Sequence, residues 1–201
     1  MIPAMNKTRL MTLRGAELEP WLAHVAALRI RVFRDFPYLY DGSEAYEAQY
    51  LRTYVETDSA ICVLALDGDC VVGASTGLAL NDETAAFRKP FEQAGMDTAD
   101  IFYCAESVLL PAYRGGGIYR HFFTEREDQA RRLGKTLSVF CAVQRPQNHP
   151  LRPVDYQPLD EVWQRFGYRS APGLITQFGW KDIDQPEESD KPMQFFCKRL
   201  G

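Results

Sequence analysis

Glu106 is a lone carboxylate in the otherwise apolar run from Ile101 to Leu110, and a few residues later the chain reads Arg114-Gly115-Gly116-Gly117. A carboxyl group buried in an apolar strand has its pKa raised, which fits it to take a proton from an ammonium, directly or through water. The same placement also suits a structural carboxylate paired with an arginine such as Arg145. Consecutive glycines remove every Cβ from a turn, so backbone N–H groups can converge on one anion. If a helix starts there, its unpaired first-turn N–H groups and positive dipole end add to the attraction. Arg114 can contribute a charge-assisted bond at the rim. The pattern is that of a phosphate or pyrophosphate site beside a proton acceptor.

Other phosphate loops fail at named positions. A dinucleotide fingerprint needs a third glycine where Arg120 stands. Gly134-Lys135-Thr136 imitates the end of a P-loop, but Gln129 occupies the place of its first glycine, so ATP or GTP use is not expected. Cys104 and Cys141 have no activating base visible in the sequence and read as core thiols. His149, before Pro150, reads as a solvated turn residue. The five cysteines are odd in number and irregularly spaced, which fits reduced thiols in a cytoplasmic protein. With three histidines and no CxxC pair, no metal site is expected.

The elements that must position these residues follow from periodicity. Residues 9–13 suit a strand, and Glu17 to Arg34 carries apolar residues at helical spacing. Phe36-Pro37-Tyr38-Leu39-Tyr40-Asp41-Gly42 breaks that helix, and a second covers Ser43 to Glu56. Ala60–Leu66 and Cys70–Leu80 flank Asp67-Gly68-Asp69 as a tight hairpin. Asn81 to Gly95 is a polar, partly helical insertion, and Asp100–Leu110 is a strong strand. The glycine loop opens a helix reaching about Leu133, whose inward stripe Arg126 interrupts, and Gly134 ends it. A strand over Thr136–Val143, a Pro-rich connection over Gln144–Pro158, a short helix over Asp160–Phe166 and strands near Leu174–Trp180 and Met193–Lys198 complete the chain.

Composition bounds the rest. A chain of 201 residues suits one domain, residues 1–201, and a hydrophobic share of 46% with 25% charged residues is ordinary for a globular protein. The net charge of −4 argues against a nucleic-acid binder and mildly favours a cationic partner. Met1 to Thr12 lacks an apolar leader core, and no stretch is long and apolar enough for a membrane span, so a cytoplasmic location is expected.

From Arg114 through Gly117 the segment resembles the Arg/Gln-x-x-Gly-x-Gly/Ala signature of the GNAT superfamily of acyl-CoA-dependent N-acyltransferases. Tyr119 departs from it, standing where Gly or Ala is usual. The order of elements fits the same family, and Gln164-Arg165-Phe166-Gly167-Tyr168 is similar to its closing Gly-Phe. The resemblance implies an α+β fold with helices on both faces of a mixed, mostly antiparallel sheet of about seven strands, splayed at its two central strands. It implies acetyl-CoA as co-substrate and an amine acceptor, with acetyl transfer by direct attack in a ternary complex. The pantetheine arm would then meet the backbone at Val108 and Leu110, with Leu109 between them. The pyrophosphate would meet Arg114, Gly115, Gly116, Gly117, Ile118 and Tyr119, and Asn148 would offer a polar contact. Glu106 would be the base, with Asp100 as runner-up. The family's usual acid, a tyrosine before the closing Gly, is Trp163 here, leaving Tyr156, Tyr168 or water. Tyr38, Tyr40 and Tyr46, with Asp41 and Glu44, fall where the acceptor site would be walled, or where a neighbouring subunit of a homodimer would pack. The alternative is a catalytically weak acyl-CoA-binding sensor or interaction module, motivated by Tyr119 and Trp163.

Overall fold

The computed structural model describes residues 8–201; the first part of the Met1–Thr12 stretch lies outside them. The run Ile-Cys-Val-Leu-Ala-Leu has no polar alternation because β2 (Ile61–Asp67) is covered on both faces. It pairs antiparallel with β1 (Arg9–Leu13) on one side and β3 (Cys70–Ala79) on the other. Gly68, at φ +58°, makes the turn between β2 and β3. β4 (Ile101–Leu109) continues the antiparallel half on β3.

The second half of the sheet meets the first at a parallel junction. β5 (Leu137–Val143) pairs with β4 only at Ile101↔Leu137, Phe102↔Ser138 and Tyr103↔Val139. Beyond those three pairs the strands diverge, leaving an opening between Cys104–Leu109 and Phe140–Val143. β5 pairs along its other edge with β7 (Glu188–Arg199), and β6 (Arg169–Lys181) closes the seven-stranded order β1-β2-β3-β4-β5-β7-β6.

Alternate residues of β2 sort into two cores. Cys62, Leu64 and Leu66 pack with Val25 and Leu28 of α1 (Leu22–Phe33), Leu51 and Tyr54 of α2 (Glu44–Glu56), and Phe87 and Phe91 of α3 (Ala85–Gln93). Ile61, Val63 and Ala65 pack with Ile118, Phe122 and Ala130 of α4 (Ile118–Arg132), and the short α5 (Asp160–Arg165) lies on that same face. Helices therefore cover both faces. Ser43 caps α2 by accepting from the Tyr46 N–H.

Two expected boundaries differ. The Glu17–Arg34 segment is split: Gly15–Trp21 is a 3-10 turn containing Pro20, and α1 begins only at Leu22. Proline supplies no N–H, so it sits in an opening turn rather than a helix interior. The tail strands are longer than expected because β6 is a largely exposed edge strand with weak apolar patterning, and its register shifts between Ser170 and Ile175, around Pro172. Arg126, which interrupts the inward stripe of α4, is buried and donates to the carbonyls of Phe122 (3.2 Å) and Glu106 (3.1 Å).

Candidate active site

The floor of the site is built by α1, α2 and β4. On α2, Glu47, Tyr50 and Tyr54 share a face by their spacing of three and four residues. Arg29 on α1 lies one turn beyond Val25 and enters the same space. Its Nε donates to Glu47 Oε2 in a short charge-assisted bond, and its Nη1 lies 2.6 Å from Glu106 Oε2. Tyr50 donates to Glu106 Oε2 at 3.3 Å and shares a 2.8 Å bond with the Tyr54 hydroxyl. The guanidinium also lies 4.4 Å from the centre of the Tyr50 ring. The arginine paired with Glu106 is thus Arg29, not Arg145. Burial would favour a neutral Arg29, but Glu106, Tyr50 and Glu47 outweigh it and hold the group charged well above its ordinary range. Burial and the nearby Glu106 push the Tyr50 phenol up. Glu47 Oε1 and Glu106 Oε1 are buried without a hydrogen-bond partner among the described residues. Asp100 is exposed in the 3-10 turn before β4, far along the strand from this cluster.

Above the floor opens a cleft of about 490 Å³, whose walls include Tyr38, Tyr40, Tyr46, Phe178 and Trp180. Asp41, Glu188 and Asp190 also line it, whereas Glu44 does not. Glu188 and Asp190 crowd over Gly179, where a Cβ would come within 2.7 and 3.0 Å of their oxygens. Neither forms an ion pair among the described residues, while Lys181 is held by Asp41 at 2.8 Å. Arg145 clamps the aromatic wall. It makes a bidentate pair with Asp182 (2.7 and 2.9 Å) and donates to the carbonyls of Pro37 and Tyr38, both at 2.8 Å. Trp180 Nε1 donates to the same Tyr38 carbonyl at 2.9 Å. Burial opposes ionisation of Asp182, but Arg145 and Lys191 prevail and hold its carboxyl below the usual range.

On the opposite face of the sheet, Gly117 at φ +86° stands before the first turn of α4, whose N–H groups point into the loop. A Cβ at Gly115 or Gly117 would meet nothing within 4 Å, so the turn is an open cradle. Arg114 Nε donates to the Leu109 carbonyl at 3.2 Å, anchoring the exposed guanidinium at the end of β4. Ile118 is buried and fixes the helix start.

The backbone at Leu110 is otherwise engaged than expected. Its N–H donates to Val72 O at 3.0 Å and its carbonyl accepts from Tyr113 N–H. By the two-residue period of a strand, Val108 also turns its N–H and carbonyl toward β3, leaving Ser107 and Leu109 to face the opening. Leu109 is thus the one of the three expected positions directed there.

The remaining expected residues are scattered. Asn148 is exposed on the connection after β5, outside the cleft. Tyr156 folds back onto Phe36, edge to face at 4.7 Å, with Arg152 over its ring. Tyr168 is fully buried and bonded to Ser138 and Glu127, removed from the opening. Tyr119 does not crowd the glycine turn; its ring packs against Phe123 and Phe166, and its hydroxyl accepts from Trp163 Nε1 at 3.0 Å. The two departures from the signature therefore meet each other. Arg29 and Glu47 were missed in the sequence, although Arg29 falls on the inward stripe of α1, where an unexplained cation was a signal.

No protein-family model matches the sequence, and no curated protein matches it. Solved structures do. An acetyltransferase of the GNAT family from Streptococcus pneumoniae is 14% identical, with a TM-score of 0.58 over 96% of this chain and 100% of its own. An aminoglycoside 6'-N-acetyltransferase complexed with coenzyme A is 14% identical, with a TM-score of 0.59 over 95% of this chain and 97% of its own. A ribosomal-protein-alanine N-acetyltransferase from Brucella melitensis is 13% identical, with a TM-score of 0.61 over 94% of this chain and 99% of its own. The chain has the GNAT acetyltransferase fold.

Proposed function

We propose that this chain is an N-acetyltransferase that moves the acetyl group of acetyl-CoA to a small primary amine, by direct attack in a ternary complex. The observation that carries the reading is the parting of β4 and β5 after three paired residues, with the glycine cradle on one face and the acidic, aromatic cleft on the other. Coenzyme A fits this chain's donor set. The cradle and helix start suit a pyrophosphate, Arg114 adds a cation, and the free edge of β4 offers backbone groups to an extended arm. When bound, acetyl-CoA supplies the activated acyl group.

The chain's own residues then divide the work. Glu188 and Asp190 at the rim attract an ammonium, and the tyrosines and Trp180 hold it by cation–π contact and apolar packing. A concave cleft of about 490 Å³ suits a small molecule better than a flat protein surface. Glu106 receives the amine proton, directly or through one water, because its Oε1 has no hydrogen-bond partner among the described residues. Arg29 holds the other oxygen, fixing the carboxylate at the floor. N–H groups of β4 facing the opening are placed to polarise the thioester oxygen.

The test is thermal unfolding with and without CoA and acetyl-CoA, followed by thiol release with tyramine and spermidine as acceptors. A ligand at a hundred times its Kd stabilises the folded state by about 2.7 kcal/mol. Arg114→Ala and Gly116→Glu should abolish the shift. A shift without thiol release across an amine panel would favour the non-catalytic CoA-binding module, and no shift would remove both readings.

A further inference from the structure

The departing thiolate needs a proton, and the indole at position 163 has no acidic one to give. Trp163 Nε1–H can only donate, so in its 3.0 Å bond with Tyr119 the phenolic oxygen is the acceptor. The Tyr119 proton is left over, and no described residue accepts it. Tyr119 stands on the first turn of α4, directly after the glycine cradle. Trp163 on α5 packs instead on Phe140 of β5 and Phe196 of β7, at 5.0 and 4.8 Å. α4 lies over β3 and β4 and also reaches β5, and Trp163 lies over β5 and β7, so the Tyr119–Trp163 bond sits on the face of the sheet where β4 and β5 part. An arm running from the cradle into that gap would pass beside this first turn of α4.

We propose that Tyr119 is the general acid of the transfer and that Trp163 is its positioning residue. The proposal rests on the acetyltransferase reading. The amine nitrogen forms a bond to the thioester carbonyl carbon while the C–S bond breaks and its electron pair leaves on sulfur. The Tyr119 proton moves to that sulfur, and Glu106 takes the proton released by the amine. The resulting tyrosinate keeps the Trp163 N–H bond and recovers a proton from solvent. Burial pushes the phenol up, and the Trp163 hydrogen bond and Arg126 pull it back. The bond to Trp163 therefore favours the ionised form that proton donation creates.

The experiment compares the wild type with Tyr119→Phe, Trp163→Phe and the double variant. One arm measures binding of CoA and of desulfo-CoA, which lacks the sulfur, at about pH 10, where a large share of a free alkanethiol is ionised. The other measures kcat and KM for acetyl-CoA with tyramine. Wild type should prefer CoA about 10-fold over desulfo-CoA, as expected of a hydrogen bond to a charged group. Tyr119→Phe should bind desulfo-CoA normally, lose that preference, and lose about 10²-fold in kcat at unchanged KM. Trp163→Phe should lose about 3- to 10-fold in kcat, and the double variant should be no worse than Tyr119→Phe, since the two act as one unit. Retained preference and kcat in Tyr119→Phe would overturn the assignment. If that variant does not fold, unchanged kcat in Trp163→Phe would do so. Wild type that binds CoA but acetylates neither tyramine nor spermidine would overturn the transferase reading, while the desulfo-CoA comparison, which needs no turnover, still decides whether Tyr119 meets the sulfur.

Discussion

The three charges at the floor of the cleft illustrate how little a buried ion pair is worth in net terms and how costly it is to break. Arg29 is balanced by Glu47 and Glu106, all almost without solvent contact. Removing the cation strands two carboxylates in low dielectric, so Arg29→Met should destabilise the fold by about 3–5 kcal/mol in chemical denaturation. Glu106→Gln leaves Arg29 paired with Glu47, so the fold should survive. Its effect should appear in turnover, which we expect to fall by about 10²-fold or more at unchanged CoA affinity. Turnover at the wild-type level would remove Glu106 as base. The carboxylate was legible in the sequence because a charge in an apolar strand stands out. Its partner was not, because an arginine on a helix reads equally well as solvated until the opposing strand is in place.

At the scale of elements, the glycine loop and the β6–β7 pair each set a position that the side chains exploit. Gly117 needs a φ of +86°, where a β-branched residue is strained. Gly117→Val should abolish the CoA-induced thermal shift, read by the same unfolding assay. Asp182 ties β6 to Arg145 and thereby to the Tyr38 wall. Its folded pKa is depressed, so it contributes stability that is present above the ordinary carboxylate value of about 3.9 and lost as pH falls through the folded value. Asp182→Asn should be less stable than wild type at neutral pH, and the gap should narrow on acidification; urea titrations across that range check it. Strand identity was readable from apolar runs here, but backbone direction was not. Which of Val108, Leu109 and Leu110 faces the opening depends on pairing parity with β3, and a run that is apolar at every position carries no mark of parity.

Across the whole molecule, charge is distributed unevenly relative to function. The net charge of −4 is modest, yet Glu188 and Asp190 line the cleft with no ion-pair partner among the described residues. Glu188→Gln with Asp190→Asn should raise KM for spermidine by about 3- to 10-fold at low salt, with kcat unchanged, and the difference should fade above about 0.5 M salt as the Debye length shortens. A KM unaffected at every ionic strength would separate the rim from acceptor capture.

The sequence by itself determined the order of elements, the glycine cradle, the lone carboxylate in β4 and the placement of the tyrosine-rich loop, because each is written in local periodicity or in a backbone requirement of neighbouring residues. The tertiary structure decided which charges neutralise each other, which strand edge is free and where Tyr119 points. Those depend on contacts between residues far apart in the chain, such as Arg29 with Glu106 and Tyr119 with Trp163. Nothing local distinguishes a phenol that crowds a turn from one that turns inward to meet an indole.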